Sequence, residues 1–288
     1  MKTEYQQGML YLCATPIGNL KDISERVIET LSSVDIIAAE DTRNSIKLLN
    51  HFNIKTALTS YHEYNKYDKA TELIAKMQEG AQVALITDAG TPAISDPGEV
   101  LVDMCHKAGV HVTSLPGPCA LITALTLSGL SARRFVFEGF LPPDKKLRAR
   151  ILGELSEETR TMILYEAPHH LRATLAELRE ALGDRQIALC RELTKKFEEV
   201  IRMPLPEAVT FYDSHEPKGE YVLIISGKSF DEVDKEKQSD FLSMDLNEHM
   251  AIYESQGYDR KEAMKRVAKD RGLTKRDIYA MLLENDDK

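Results

Sequence analysis

The sequence has no long apolar run and no closely spaced pair of cysteines. No stretch approaches the roughly 18 consecutive apolar residues of a membrane-spanning helix. The first ten residues of the chain are too polar for a signal peptide. The four cysteines lie far apart in apolar surroundings, which favours buried thiols over disulfides or a zinc site. They are Cys13, Cys105, Cys119 and Cys190. We therefore expect a cytoplasmic protein with no membrane segment and no structural metal.

The short motifs that mark common catalytic sites are also missing. The sequence contains no G-x-G-x-x-G, G-x-x-x-x-G-K-[ST], H-E-x-x-H or G-x-S-x-G pattern. These patterns carry dinucleotide binding, nucleoside triphosphate binding, zinc proteolysis and serine hydrolysis. The absence of these motifs removes the main sequence support for those four functions.

Acidic residues dominate the chain except near its end. The 37 basic and 46 acidic residues give a net charge of −9, which argues against a protein that coats nucleic acid by bulk charge. Residues 255–276 are the exception, with eight basic and three acidic residues. This basic segment is either a contact for RNA or the ribosome, or the solvated face of a small packing unit.

Short apolar runs alternate with amphipathic segments, which is typical of strands crossed by helices in an α/β fold. The predicted strands are Met9–Ala14, Asp35–Ala39, Ala57–Tyr61, Val83–Thr87, Val110–Leu115, Phe135–Phe140, Thr161–Tyr165, Gln186–Cys190, Glu199–Met203 and Tyr221–Ser226. We predict an N-terminal domain with an open, mostly parallel sheet (1–122) and a second α/β domain (123–228). A linker (229–244) and a small basic helical appendix (245–288) follow.

The appendix is predicted to be helical, whereas the linker has too few apolar residues to pack. Asp259 and Thr274 each begin a capping pattern with an acidic residue three positions later, and Gly272 suits a left-handed helix end. The apolar faces of these helices are predicted at Ala263, Val267, Ile278, Met281 and Leu282.

Glycine and proline cluster in three loops that follow predicted strands, at 15–19, 88–98 and 116–118. Each loop alone is explained equally well as a tight turn. Open α/β sheets bind ligands at the carboxyl ends of their strands, however, so three such loops on one edge predict a pocket. Asp88 offers a hydrogen-bond acceptor there, and Gly90 lets the backbone approach a ligand closely.

Charged loops follow several other strands. Asp41 or Thr42 can cap a helix, but Arg43 at a helix start needs an anionic partner, which a phosphate would supply. His62 is interpreted as a structural or surface histidine. In the second half, the charged loops at 138–142, 165–169, 191–195 and 218–220 belong to a site or form a solvated ion-pair network.

Seven blocks, taken in order, resemble the ribosomal RNA small subunit methyltransferase I family of the tetrapyrrole methylase superfamily. They are Thr15-Pro-Ile-Gly-Asn-Leu20, Ala39-Glu-Asp-Thr-Arg43, Thr87-Asp-Ala-Gly-Thr-Pro92, Pro116-Gly-Pro-Cys-Ala120, Glu138-Gly-Phe-Leu-Pro142, Arg191-Glu-Leu-Thr-Lys195 and Lys218-Gly-Glu220. The resemblance runs from about residue 9 to Gly227 and is weaker in the tail.

The resemblance implies a class III fold in which two α/β domains enclose S-adenosylmethionine, in a homodimer. It also implies 2′-O-methylation of a cytidine in the decoding region of 16S ribosomal RNA within the small subunit. The cofactor residues implied are Pro16, Ile17, Gly18, Asp88, Ala89, Gly90, Thr91, Pro116, Gly117, Pro118, Cys119, Ala120, Phe140 and Leu193.

A ribose 2′-hydroxyl is neutral at pH 7 and needs alignment and a group that accepts its proton. The candidates for that base are Asp88, Asp96, Glu192 and Glu220, which the sequence leaves unranked. Arg43, Lys195 and Lys218 are candidates for RNA contact. No metal is needed, because a methyl group on a sulfonium is already activated.

Two other functions fit the same features. A tetrapyrrole or corrin methyltransferase would share the fold and the cofactor, although the Glu40–Arg43 block and the basic tail suit a phosphate-bearing substrate better. A non-catalytic RNA-binding regulatory protein would use the α/β body as a small-molecule sensor and would turn over no cofactor.

Overall fold

The computed structural model describes residues 8–286 and contains the ten predicted strands, each within one residue of its expected ends. The strands are β1 (Met9–Cys13), β2 (Ile36–Ala39), β3 (Ala57–Ser60), β4 (Val83–Ile86), β5 (His111–Leu115), β6 (Phe135–Phe140), β7 (Thr161–Glu166), β8 (Gln186–Arg191), β9 (Glu199–Pro204) and β10 (Tyr221–Ile225).

The described helices lie between and after these strands. They are α1 (Glu25–Ser33), α2 (Thr42–His51), α3 (Lys66–Gln78), α4 (Gly98–Lys107), α5 (Ala120–Ser128), α6 (Lys145–Ser156), α7 (Leu171–Leu182), α8 (Leu205–Ser214), α9 (Phe230–Ser243), α10 (Leu246–Ser255), α11 (Arg260–Asp270) and α12 (Lys275–Asp286). In the described part of the chain, no helix combines the length and apolar character that crossing a membrane requires.

The first sheet is parallel throughout and has the order β3-β2-β4-β1-β5. Its three central strands, β2, β4 and β1, are largely buried, because α1 and α2 cover one face and α3 and α4 the other. Because β4, β1 and β5 are adjacent and parallel, the loops that follow them lie at the same edge of the sheet. This is the arrangement that the glycine and proline clusters predicted.

The second sheet is mixed and has the order β6-β7-β10-β8-β9, with only β6 and β7 paired in parallel. One face packs against α6, α7 and α8, and the other packs against α5. The domain boundary predicted at 122–123 falls inside α5. Residues 8–226 form one compact unit, and residues 227–286 form a second.

Residues 229–244 were expected to be a linker without regular structure. That prediction is wrong, because residues 230–243 form α9. Ser229 and Glu232 form a reciprocal capping box at its start, which satisfies two backbone N–H groups. The helix buries none of its side chains fully, so the sequence offered no apolar stripe to reveal it. The capping pattern was the available signal.

Helices α10, α11 and α12 enclose a small core of their own. The caps at Asp259 and Thr274 and the left-handed Gly272 are confirmed. Four of the predicted apolar-face residues, Ala263, Val267, Ile278 and Leu282, are buried, whereas Met281 is exposed. Arg271, counted with the basic residues, is also buried and bonds within this unit.

Candidate functional site

Hydrogen bonds join the three loops at the edge of the first sheet. The backbone N–H groups of Thr15 and Gly90 each donate to the other residue's carbonyl, at 2.9 and 3.0 Å. Thr91 Oγ1 donates to the Pro118 carbonyl at 3.0 Å, which connects the second loop to the third. The loops therefore form one continuous wall.

This wall borders a cavity of about 470 Å³, which we call the inner cavity. Its opposite side is formed by the second sheet, by the loops that follow β7 and β8, and by Glu220 before β10. Ten residues predicted for the site line it, namely Ile17, Asp88, Ala89, Asp96, Ala120, Phe140, Glu192, Leu193, Lys195 and Glu220.

Other predicted cofactor residues lie in the loops without lining the inner cavity. They are Pro16, Gly18, Gly90, Thr91, Pro116, Gly117, Pro118 and Cys119. Gly90 has a φ of 90°, and a Cβ on Gly117 would lie 2.8 Å from that of Ala14. These glycines shape the wall.

A second cavity of about 520 Å³, the outer cavity, shares residues with the inner one. It is lined by the loop after β1, including Pro16 and Gly18, and by one face of α2. The residues common to both cavities are Ile17, Asp88, Ala89, Lys195 and Glu220. These residues mark the border between the two spaces.

The inner cavity is strongly acidic. Six carboxylate residues and a single basic residue, Lys195, line it. The carboxylates belong to Glu40, Asp88, Asp96, Glu166, Glu192 and Glu220. This electrostatic environment favours a cationic ligand and disfavours a polyanion.

Asp96 organises the loop in which it lies. Its carboxylate accepts hydrogen bonds from the backbone N–H groups of Ala93, Ile94 and Gly98 at 2.7–3.3 Å. Burial raises the pKa of this carboxyl, although the three backbone N–H groups oppose that shift. Asp96 thereby holds Ile94 and Ser95 against the inner cavity.

Lys195 joins two of the predicted carboxylates. Its Nζ donates to Glu192 Oε1 and to Glu220 Oε2, both at 2.9 Å. Burial opposes the charge of Lys195, but these two hydrogen bonds raise the pKa of its ammonium above its ordinary value. Burial also opposes ionisation of Glu192, yet the Lys195 hydrogen bond leaves its pKa lowered. The ion-pair network considered from the sequence exists, and it lies at the border of the cavities.

Asp88 lies at the same border with a simpler set of contacts. Its Oδ1 accepts a hydrogen bond from the backbone N–H of Asp41 at 3.2 Å. No hydrogen bond to Oδ2 is formed by the residues that the structure describes. Beside it, Thr87 Oγ1 donates to Glu40 Oε2 at 2.8 Å.

Sequence reasoning missed several residues that line the inner cavity, including Glu40, Thr87, Tyr165 and Glu166. Glu166 is buried, and its carboxylate accepts from the backbone N–H of Ala167 and from Thr174 Oγ1. Glu40, Tyr165 and Glu166 lie in the charged segments at 40–43 and 165–169 that follow strands, and Thr87 ends a predicted strand. The sequence pattern did not show which of their side chains face the cavity.

Arg43 has a nearer anionic partner than a phosphate. Its guanidinium donates to Asp41 Oδ2 at 2.8 Å, and this hydrogen bond lowers the pKa of Asp41 to about 2. The Arg43 side chain is 87% exposed and lines neither cavity. Lys218 is exposed and His62 half-buried, and they also lie outside both cavities.

The cysteines do not take part in a disulfide, and Cys13, Cys105 and Cys190 are buried as predicted, while Cys119 is half-buried. Burial raises the pKa of the Cys190 thiol, beside the inner cavity, to about 12. Within the described residues, no group of three or more His, Cys, Asp or Glu residues is arranged to hold a metal ion.

Comparison with known proteins supplies the family context. The family model for Tetrapyrrole (Corrin/Porphyrin) Methylases matches residues 9–209. A protein of Synechocystis sp. (strain ATCC 27184 / PCC 6803 / Kazusa) called Ribosomal RNA small subunit methyltransferase I is 45% identical, over 96% of this chain and 98% of that protein. Its namesake in Halalkalibacterium halodurans is 48% identical, over 97% and 98% of the two chains.

Solved structures of low sequence identity share the fold. A diphthine synthase superposes with a TM-score of 0.63 at 14% identity and covers 77% of this chain and 90% of that one. The uroporphyrin-III-C-methyltransferase of Thermus thermophilus gives a TM-score of 0.52 at 18% identity, covering 76% and 94%.

Proposed function

Since the chain belongs to the ribosomal RNA small subunit methyltransferase I family of tetrapyrrole methylases, we propose that it methylates a cytidine 2′-hydroxyl in the decoding region of 16S ribosomal RNA. The chain is an S-adenosylmethionine-dependent ribosomal RNA methyltransferase. The observation that carries the proposal is the acidic inner cavity at the carboxyl ends of three neighbouring parallel strands.

The residues of the inner cavity fit S-adenosylmethionine. The cofactor carries positive charge on its sulfonium and ammonium groups, and the carboxylates of the cavity complement both. Ile17, Ala120, Phe140 and Leu193 offer apolar surface for the adenine. When bound, the cofactor supplies a methyl group that is already activated for transfer.

The protein must then position the ribose hydroxyl and remove its proton. Asp88 is our choice for the proton acceptor, because it borders both cavities and its Oδ2 has no hydrogen bond among the described residues. Asp96 is held by three backbone N–H groups, whereas Glu192 and Glu220 are paired with Lys195. The charged Lys195 is a cation for orienting the substrate and not a base.

The proposal is tested with purified protein, methyl-labelled S-adenosylmethionine and small ribosomal subunits that lack the modification. Label should be found on the 2′-oxygen of one 16S cytidine after nuclease digestion. Asp88→Asn should lower kcat, measured at saturating cofactor, by about 100-fold or more. Asp103→Asn is the matched control, since that carboxylate lies on α4 and pairs with Lys107 outside both cavities.

Other outcomes would point elsewhere. Cofactor binding without RNA label would favour a macrocyclic substrate, whereas binding without turnover of any methyl acceptor would favour a regulatory protein. Wild-type kcat in Asp88→Asn would remove Asp88 as the base. We also propose a cytoplasmic homodimer, for which light scattering should give twice the 32.5 kDa chain mass.

A further inference from the structure

One wall of the outer cavity is formed by a face of α2 that lines no part of the inner cavity. Asn44, Lys47, Leu48 and His51 of α2 line it. Their spacing of three and four residues places them on one face of the helix. Asn44, Lys47 and His51 are all exposed.

Lys47 is available to bind a ligand. Among the side chains that the structure describes, no carboxylate lies within ion-pair distance of it, whereas Lys66 and Lys69 on the next helix pair with glutamates at 2.5 and 2.7 Å. Neither the amide of Asn44 nor the imidazole of His51 has a hydrogen-bond partner among the described residues. The face thus carries three polar groups without a partner among those residues.

Charge divides the two cavities. The inner one combines six carboxylates with one lysine, so it repels a phosphate. The outer one shares Lys195, Asp88 and Glu220 with the inner one at the border, and Lys47 is the charged residue that lines the outer cavity alone. A substrate that carries both a neutral hydroxyl and flanking phosphates would place the hydroxyl at the border between the two cavities and a phosphate in the outer cavity.

We propose that the outer cavity binds the sugar-phosphate backbone of the RNA strand beside the methylated nucleotide. Lys47 contacts a phosphate, and Asn44 and His51 contact the adjoining sugar or base. This inference rests on the proposed function and names the surface that holds its substrate. It also moves the phosphate contact on α2 from Arg43, which is paired with Asp41, to Lys47 four residues later.

The test compares Lys47→Ala and His51→Ala with wild-type protein on undermethylated small subunits. Lys47→Ala should raise KM for the subunit about tenfold, as expected when one hydrogen bond to a charged group is removed. The association constant for the subunit should also depend less on salt. The slope of its logarithm against the logarithm of salt concentration should flatten by about 0.7–0.9, because the variant neutralises one phosphate fewer than the wild type. Binding of S-adenosylmethionine should match the wild type.

Lys146→Ala is the matched control, because Lys146 is an exposed lysine on α6 that has no ion pair in the described residues and lines neither cavity. If Lys47→Ala and the charge-reversed Lys47→Glu give the KM and salt slope of Lys146→Ala, the proposal is overturned. Failure of the proposed function is distinct, since it would appear in wild-type protein as no label on a cytidine 2′-oxygen.

A crosslinking experiment separates RNA from protein as the partner of this surface. A photoreactive group attached to Lys47→Cys should label 16S nucleotides next to the methylated cytidine, mapped by primer extension. Crosslinks to a ribosomal protein instead would also overturn the proposal.

Discussion

Gly18 lies where the loop after β1 meets the loop after β8. A Cβ at this position would be 2.5 Å from Lys195 Cγ and 3.0 Å from the Leu193 carbonyl oxygen. The backbone N–H of the next residue, Asn19, donates to Thr194 Oγ1 at 3.0 Å. One glycine therefore permits the contact that brings Lys195 to the border of both cavities.

We expect Gly18→Ala to displace the 193–195 loop, because one of the atoms it would strike belongs to the backbone. Overpacking of this kind costs about 1–3 kcal/mol of stability. Cofactor affinity and kcat/KM should both fall, as measured by calorimetry and methyl transfer. Gly153→Ala is the control, since that glycine lies inside α6 with nothing within 4 Å of an added Cβ. That control should gain about 0.5–1 kcal/mol, and equal activity of the two variants would contradict the role given to Gly18.

His249 makes the C-terminal unit sensitive to pH. Its ring is buried, stacks on Phe241 and accepts a hydrogen bond at Nδ1 from Arg271 Nε at 3.2 Å. Burial, together with the Arg271 charge, lowers the pKa of His249 from its ordinary 6.5. Below that value the unfolded chain binds a proton that the folded unit does not, so the stability of the unit falls as pH falls.

We expect amide exchange in residues 246–282, corrected for intrinsic rates, to show this loss of stability between about pH 7 and pH 5. His249→Asn keeps an acceptor for Arg271 but cannot take up the proton. Its exchange should therefore depend less on pH than that of wild-type protein. The same pH dependence in both proteins would show that another group is responsible.

At the scale of elements, the strands were predictable because their apolar runs end at glycine, proline or charged residues. Helix α9 was not, since it buries no side chain fully and is held by its capping box and by Gln238, which donates to the Arg271 carbonyl at 3.0 Å. A polar helix of this kind has the composition of a solvated linker. Only its local capping pattern distinguishes the two.

Helix α2 shows why a site is harder to predict than a strand. The sequence indicated the helix start and the edge of the sheet, but it singled out Arg43 and gave no signal for Lys47. The difference between them is a contact between side chains: Arg43 is paired with Asp41, whereas no carboxylate among the described side chains pairs with Lys47. Similarly, Glu166 becomes a cavity residue only through strand pairing, which no local pattern reveals.

At the scale of the whole molecule, the chain combines two units with separate cores. The four clusters of buried residues in the first unit contain no residue beyond Ile225, and the cluster of the second unit begins at Leu246. The inner cavity belongs entirely to the first unit. The basic segment 255–276 belongs to the second, and five of its basic residues are exposed, namely Arg260, Lys261, Lys265, Lys269 and Arg276.

Deletion of residues 229–288 should therefore leave cofactor binding at the wild-type level, because no core residue of the first unit is removed. If the basic segment contacts RNA, the deletion should weaken binding to small subunits and flatten its salt slope by about 0.9 for each phosphate that the segment neutralises. The full-length double variant Lys261→Ala, Lys265→Ala should show the same change in part, since both side chains are exposed on α11. Wild-type affinity in both proteins would make the C-terminal unit a packing element whose basic face is only solvated.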